Sequence, residues 1–396
     1  MRLERLSCTP ALWILAASLT IASFTFASQA QDTQQPPATP PAQDATPPQE
    51  APPPPETPQQ QDARPEPQAD DSQPPTAQNG DVQEKIQIND RQRTFIVHLP
   101  RGYDSQQHYP IVILLHGLDQ DAPEMARLTH FNEFADRDSI IAVYPNAIGG
   151  RWTFAAVREP SPYRRGPYRR PGIWGPGYPP PPPPSEPGDR RAAAPRNQDM
   201  QFLHRMLDRL STHYSVDTRR IYVAGLGDGG FMAIRMGCNM ADRIAAIAVV
   251  GAAMPRTQNC IPSRPVPALF MNGTDDPMVP YDGGHYKGGM IRLLSAEDTA
   301  NEWARLNHCS EKPSESKLPA LPGGGKDTKV YLFDGCQENA QVTLYSVKNG
   351  GHTWPGGEQY MSEKEVGKTS HALNANETIW SFLVTKKIAG ESGTER

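Results

Sequence analysis

The sequence predicts the α/β class, with a mostly parallel, doubly wound sheet in a single domain. Three observations predict it. Short, uninterrupted apolar runs recur along the chain, and such runs suit strands buried on both faces. Amphipathic stretches of helical period lie between them. Outside two proline-rich stretches, about 300 residues remain, enough to bury one large core.

The elements follow in order. Residues 94–99 form a short β-type run, and 110–115 (PIVILL) is a continuous apolar run ending at His116-Gly117. A helical pattern covers 124–135, and a third strand pattern, SIIAVY at 139–144, is closed by Pro145. A helix is expected over 200–214, then a strand at 220–224 that runs into a glycine cluster. A helix over 229–240 and strands at 244–250 and 267–271 come next. The series closes with a helix over 296–307, a strand at 342–347 and a last helix over 375–384 with Asn374 as its cap.

Of the 43 prolines, 15 fall in 31–82 and 13 in 156–196, which sets the domain plan. Residues 31–83 are rich in Gln, Pro, Ala and Asp, with too little apolar surface to offset ordering entropy, and read as a disordered linker. The body is expected over 84–388, with a flexible tail at 389–396. Residues 156–196 interrupt the strand–helix alternation and read as an inserted loop, since ordinary connections run about 2–6 residues. This loop carries Arg, Tyr and six consecutive prolines at 179–184. It reads either as a solvated loop or as a lid or platform at the pocket mouth that contacts an anionic polymer or a sugar face.

Residues 1–30 have the pattern of a secretory signal peptide. Arg2 and Arg5 precede an apolar run at 11–26, and Ser28-Gln29-Ala30 fits a small-x-small cleavage site. The run is short for a span of about 20 residues. The expectation is a secreted or periplasmic protein with no membrane span in the mature chain. Beyond Cys8, four cysteines remain, and an even number in an exported chain suggests two disulfides. Sequential pairing, Cys238–Cys260 and Cys309–Cys336, would close short loops. No CxxC or HxxxH spacing offers a metal site, and no cofactor is implied. The formal charge of −5 gives no reason to expect a nucleic-acid partner.

Gly225-Leu226-Gly227-Asp228-Gly229 follows a strand and opens a helix, the setting of a nucleophile elbow. The elbow pattern is Gly-x-Ser-x-Gly, and here Gly227 stands at its centre. Asn272-Gly273-Thr274-Asp275-Asp276-Pro277 follows the 267–271 strand and offers an acid. Gly350-Gly351-His352-Thr353-Trp354 follows the 342–347 strand and offers a base. These come in the chain order of an α/β-hydrolase triad.

Together, LLHG (114–117), IYVAGLGDGG (221–230), GTDDPMVPYDGG (273–284), NEWARLNHC (301–309) and GGHTWPGG (350–357) resemble the secreted polyhydroxybutyrate depolymerase and feruloyl esterase family of α/β-hydrolases. The resemblance covers about 90–386 apart from the insertion. It implies Asp276 as triad acid, Asp275 being at a variable position, and His352 as base. It implies backbone N–H groups of Leu118 and Asp228 as oxyanion hole, and His116, Trp152 and Trp354 at the pocket. It also implies the cysteine pairing given above. The family's mechanism needs a serine hydroxyl whose proton passes to the histidine. Gly227 has no side chain, so no acyl-enzyme forms there.

Three accounts of Gly227 stay open: a non-catalytic member, weak turnover through water or a nearby hydroxyl, or a variant whose parent carried serine. The implied function is an exported carboxylic-ester hydrolase with little or no serine-type turnover, acting on an ester-bearing polymer or a small ester. The alternative is a non-catalytic protein that binds an ester-bearing or anionic polymer through the retained pocket and the insertion. The oligomeric state is not legible.

Overall fold

The computed structural model describes residues 80–154 and 198–389. The expected signal peptide, the insertion at 156–196 and nearly all of the expected linker and tail lie outside the described residues. The first strands form a hairpin, β1 (Gly80–Ile88) and β2 (Arg91–Leu99). Then come β3 (Tyr109–Leu115), α1 (Ala122–Thr129), α2 (Phe131–Asp138) and β4 (Ile141–Pro145). After the undescribed stretch follow α3 (Gln198–His213), β5 (Val216–Leu226), α4 (Asp228–Asn239), β6 (Ala246–Val250) and β7 (Ala268–Gly273). A small two-stranded hairpin, β8 (Gly284–His285) and β9 (Arg292–Leu293), precedes α5 (Ala296–Leu306). Strands β10 (Ser314–Leu318), β11 (Thr328–Phe333) and β12 (Val342–Val347) precede α6 (Glu363–Val366) and α7 (Ala375–Leu383).

Ten strands form one sheet in the order β1-β2-β4-β3-β5-β6-β7-β12-β11-β10. The six central strands, β4 through β12 in that order, pair in parallel, and antiparallel strands flank them on both sides. Helices cover both faces, which explains the apolar runs: β3, β4, β6 and β7 are buried at every position. Successive side chains on a strand point to opposite faces. Thus Ile111, Ile113, Val223, Ile247 and Val249 pack toward α3, α4 and α5, in a layer with Phe202, Phe231 and Trp303. Val112, Leu114, Tyr222, Ala224 and Ala248 pack toward α1, α2 and α7, in a layer with Leu128, Phe131 and Ile379. The architecture is an α/β-hydrolase fold.

Three expectations need correction. The body takes in at least Gly80 onward, because β1 pairs along its whole length with β2 and includes the last four residues assigned to the linker. The helix expected over 124–135 is two helices, since His130 adopts a left-handed conformation (φ 52°) that ends α1 and starts α2 at a new angle. Strands β10 and β11 were not expected at all; every residue of β10 is exposed, so it carries no apolar pattern. Asn374 does cap α7, its side chain accepting from the Glu377 N–H.

Disulfides join Cys238 to Cys260 and Cys309 to Cys336, 22 and 27 residues apart. The first ties the end of α4 to the loop after β6. The second ties the end of α5 to the β11–β12 connection. Loops of this size stabilise by about 3 kcal/mol each in the chain-entropy view. Among the described residues no helix is long and apolar enough to cross a membrane.

Candidate active site

The site lies at the C-terminal ends of the central strands, where an open parallel sheet leaves a crevice. Strand β5 ends at Leu226, and Gly227 turns the chain into α4 with φ 53° and ψ −115°. Side-chain-bearing residues are strained there, and glycine is not. The Gly227 N–H donates to the Val250 carbonyl, and its carbonyl accepts from Phe231 N–H, so the turn is fixed from both sides. Gly229 is required for another reason: a Cβ there would stand 2.1 Å from the Leu115 carbonyl oxygen, so only glycine lets α4 start against β3.

The acid and the base come from the next two strand ends. Asp276 lies beyond β7, and its Oδ1 accepts from the N–H groups of Met278 and Val279, both at 2.8 Å. Those bonds fix its other oxygen toward His352, whose Nδ1–H donates to Asp276 Oδ2 at 2.8 Å. The side chains are 2 % and 0 % exposed, so the pair is shielded from water. With Nδ1 donating to a carboxylate, the Nε2 lone pair is the free basic position. Nε2 points at Gly227: a Cβ built there would lie 2.5 Å from it. The imidazole therefore leans against the bare α-carbon. Asp275 is exposed and pairs only with its neighbour Thr274, whose hydroxyl donates to it.

Two backbone amides complete the arrangement. On the loop after β3, Gly117 N–H donates to Gln120 Oε1 and Asp119 N–H to the Gly150 carbonyl. Between them, Leu118 N–H has no acceptor among the described residues, nor does Asp228 N–H at the start of α4. The first N–H groups of a helix have no intrahelical partner and suit an oxyanion. The Asp228 side chain is occupied elsewhere. It is buried and accepts from the Tyr286 hydroxyl at 2.5 Å. Burial raises its carboxyl above the usual range, opposed by that hydrogen bond and by the charges of His352 and Arg151.

A cleft of about 440 Å³ opens beside this centre, lined among others by Leu118, Met278, Lys287, His352 and Tyr360. That volume suits a small organic group. Among the described residues no cluster of metal-ligating side chains occurs.

The structure brings Gly227, Asp276, His352, Leu118 and Asp228 together. It does not place His116, Trp152 or Trp354 on the cleft, and the expectation that they line it is corrected. All three are buried, at 1 %, 4 % and 1 % exposure. Trp152 donates its indole N–H to the His116 carbonyl, and Trp354 donates its own to Asn376 Oδ1. Each indole N–H thus finds its polar partner within the core.

His116 Nδ1–H donates to the Gly117 carbonyl, and Nε2 accepts from Ala147 N–H at 3.0 Å. A second ring proton would meet that N–H head-on. Burial also lowers its pKa below the ordinary 6.5. A histidine held neutral contributes stability above the unfolded-state pKa, and this is lost as pH falls below it. The stability of the chain should therefore drop from about pH 6.5 downward, and less steeply in His116→Gln. Urea unfolding at several pH values measures both slopes; equal slopes would remove His116 from the account.

Sequence reasoning missed Tyr360, Lys287 and Met278 on the cleft and Tyr286 behind it. Tyr360 donates its hydroxyl to the His352 carbonyl and so helps set the histidine loop. Met278 lies inside the 273–284 run, but nothing local marks Tyr360 or Tyr286.

A family model described as "putative esterase" matches residues 86–162. A putative esterase NocK of Nocardia uniformis subsp. tsuyamanensis is 25 % identical over 321 residues, 78 % of this chain and 84 % of that protein. Feruloyl esterase B of Piromyces equi is 32 % identical over 161 residues, 39 % of this chain and 28 % of that protein. Among solved structures, an acetyl xylan esterase from Aspergillus awamori aligns with a TM-score of 0.47 and 11 % identity, over 76 % of this chain and 99 % of that one.

Proposed function

We propose that this chain is an exported carboxylic-ester hydrolase of the feruloyl or acetyl esterase type, working without the serine its elbow is shaped for. The observation that carries the reading is the His352 lone pair, held by Asp276 and directed at the α-carbon of Gly227. The names of the relatives support an ester as substrate. The family resemblance supports an ester on a polymer, a 3-hydroxyalkanoate polyester being the other candidate.

In this reading the ester carbonyl oxygen sits between the Leu118 and Asp228 N–H groups. With no hydroxyl at position 227, water is the nucleophile. His352 Nε2 takes a proton from it, and the hydroxide adds to the carbonyl carbon. The tetrahedral oxyanion is held by the two N–H groups and collapses, expelling the alcohol, which takes the proton back from His352. Asp276 keeps the imidazole in the right tautomer and stabilises its charged form. Without an acyl-enzyme the reaction is slow; an oxyanion hole and binding alone supply about 10³–10⁴ over water in a serine protease lacking its triad.

The test is hydrolysis of a chromogenic aryl acetate by the chain as it stands and by His352→Ala. A rate above the blank that falls to the blank in the variant supports water activation by His352. Equal rates in both would place the chemistry elsewhere. No rate in either, with a phosphonate ester analogue still bound, would leave a binding protein.

A further inference from the structure

A second groove lies away from the candidate active site, on the flank of the sheet formed by β10, β11 and β12. It has a volume of about 400 Å³ and is lined by Lys317, Lys326, Lys329 and Lys348, with Tyr281 and Tyr331 in its walls. Register shows how the charges are set. Lys317 on β10 stands directly opposite Lys329 on β11, and Lys329 stands opposite Ser346 on β12. Opposed residues share a face, so the two ammonium groups project side by side from neighbouring strands, roughly 5 Å apart at the backbone. Like charges placed opposite each other in an antiparallel pair destabilise it.

Carboxylates stand nearby without pairing to these ammonium groups. Glu297 and Asp327 also line the groove, and Glu315 shares its face, opposite Tyr331. Glu297 accepts from the Tyr281 hydroxyl, and Asp327 accepts from the Ala320 N–H. None of the four lysines has a carboxylate within ion-pair distance among the described residues. Lys329 interacts with the Tyr331 hydroxyl, which ties one ammonium to an aromatic wall. A lysine on an exposed edge strand is a common guard against edge pairing. That accounts for Lys317 but not for Lys329, which lies on an inner strand with both edges paired.

We propose that this groove binds an acidic polysaccharide, a chain of carboxylate-bearing sugars. Four separate ammonium groups suit single negative charges spread along a chain, whereas a compact phosphate is better met by an arginine fork. The spacing between strands is close to the length of one sugar residue. Tyr281 and Tyr331, also on the lining, supply aromatic surface against which a sugar can pack. Thr274 and Tyr281 belong to the same loop as Asp276, so a bound chain would run along the far side of the wall that carries the acid. The proposal is independent of the ester reading, because binding is read without turnover.

The experiment is affinity electrophoresis and calorimetry of the full chain with polygalacturonate, and with a neutral galactan as control. Polygalacturonate should bind and the galactan should not, and the affinity should fall steeply with added salt. The double variant Lys317→Gln with Lys329→Gln should bind at least about tenfold more weakly. Its Tm without ligand should hold or rise, since the opposed charges are gone, and this separates lost binding from lost folding. Lys364→Gln with Lys368→Gln, outside the groove, should bind as the parent does. Unchanged binding in the groove variant, or no binding at low salt, overturns the proposal. So does equal displacement by inorganic phosphate or a short oligonucleotide at matched charge.

Discussion

Gly227→Ser is expected to raise kcat/KM on a short aryl ester by at least about 10²-fold, out of the roughly 10⁶ that a nucleophile is worth in a serine protease. The new hydroxyl would lie beside a base that is already oriented by Asp276 and already aimed at that carbon. The gain falls short of the full factor for a steric reason. The imidazole now occupies part of the space, with Nε2 2.5 Å from where the Cβ would be. It must withdraw by roughly 1 Å to reach ordinary contact. A serine at φ 53° and ψ −115° also carries backbone strain, so the variant should be less stable by about 1–3 kcal/mol. Stopped-time ester assays and urea unfolding measure the two effects. A burst of released alcohol equal to the enzyme concentration would show the acyl-enzyme directly. No gain in rate, in a variant that still folds, would mean that Asp276 and His352 are not a competent pair.

The second large effect follows once serine is present. Asp276→Asn, made together with Gly227→Ser, should lower kcat by about 10³–10⁴ relative to Gly227→Ser alone. An amide that turns its NH₂ toward Nδ1 would favour the tautomer with the proton on Nε2, where it cannot accept from a hydroxyl. The other half of the Asp276 side chain accepts from two backbone N–H groups, so asparagine can keep the loop in place with its oxygen there. Asp275→Asn is the control. That residue is exposed and pairs with Thr274, and its substitution should leave kcat within about threefold. A similar loss in both variants would point to damage to the loop and not to the histidine.

The central sheet was legible in the sequence because burial on both faces leaves an unbroken apolar run, as in β3, β6 and β7. Of the flanking strands, β2 was legible at 94–99 because it buries Phe95, Val97 and Leu99, whereas β1, β10 and β11 were not, because they depend more on a neighbour's hydrogen bonds than on an apolar run of their own. Strand β10, Ser314–Leu318, is exposed at all its positions and exists because β11 pairs with it. The break at His130 depends on one backbone angle, which no local residue pattern signals. In the site, Gly227, Asp276 and His352 were marked by the glycine-rich turns that follow strands. Trp354 lies two residues beyond His352 in the same turn, and Trp152 follows the Gly149-Gly150 pair. Which way an indole faces, however, is decided by where its N–H finds an acceptor, and His116 and Asn376 lie inward.

One buried carboxylate ties together the two described segments on either side of 155–197. Asp199, on the first turn of α3, accepts from Thr153 N–H at 2.8 Å and pairs with Arg93 at 2.8 Å, deep in the core. Thr153 is the last residue but one before that stretch, and Asp199 is the second after it. Thr153 and Asp199 are therefore held side by side, so the described chain ends on one side of the gap where it resumes on the other. Replacing 155–197 with a short linker is therefore expected to leave the Tm of the body unchanged, because Thr153 and Asp199 already hold its two ends together.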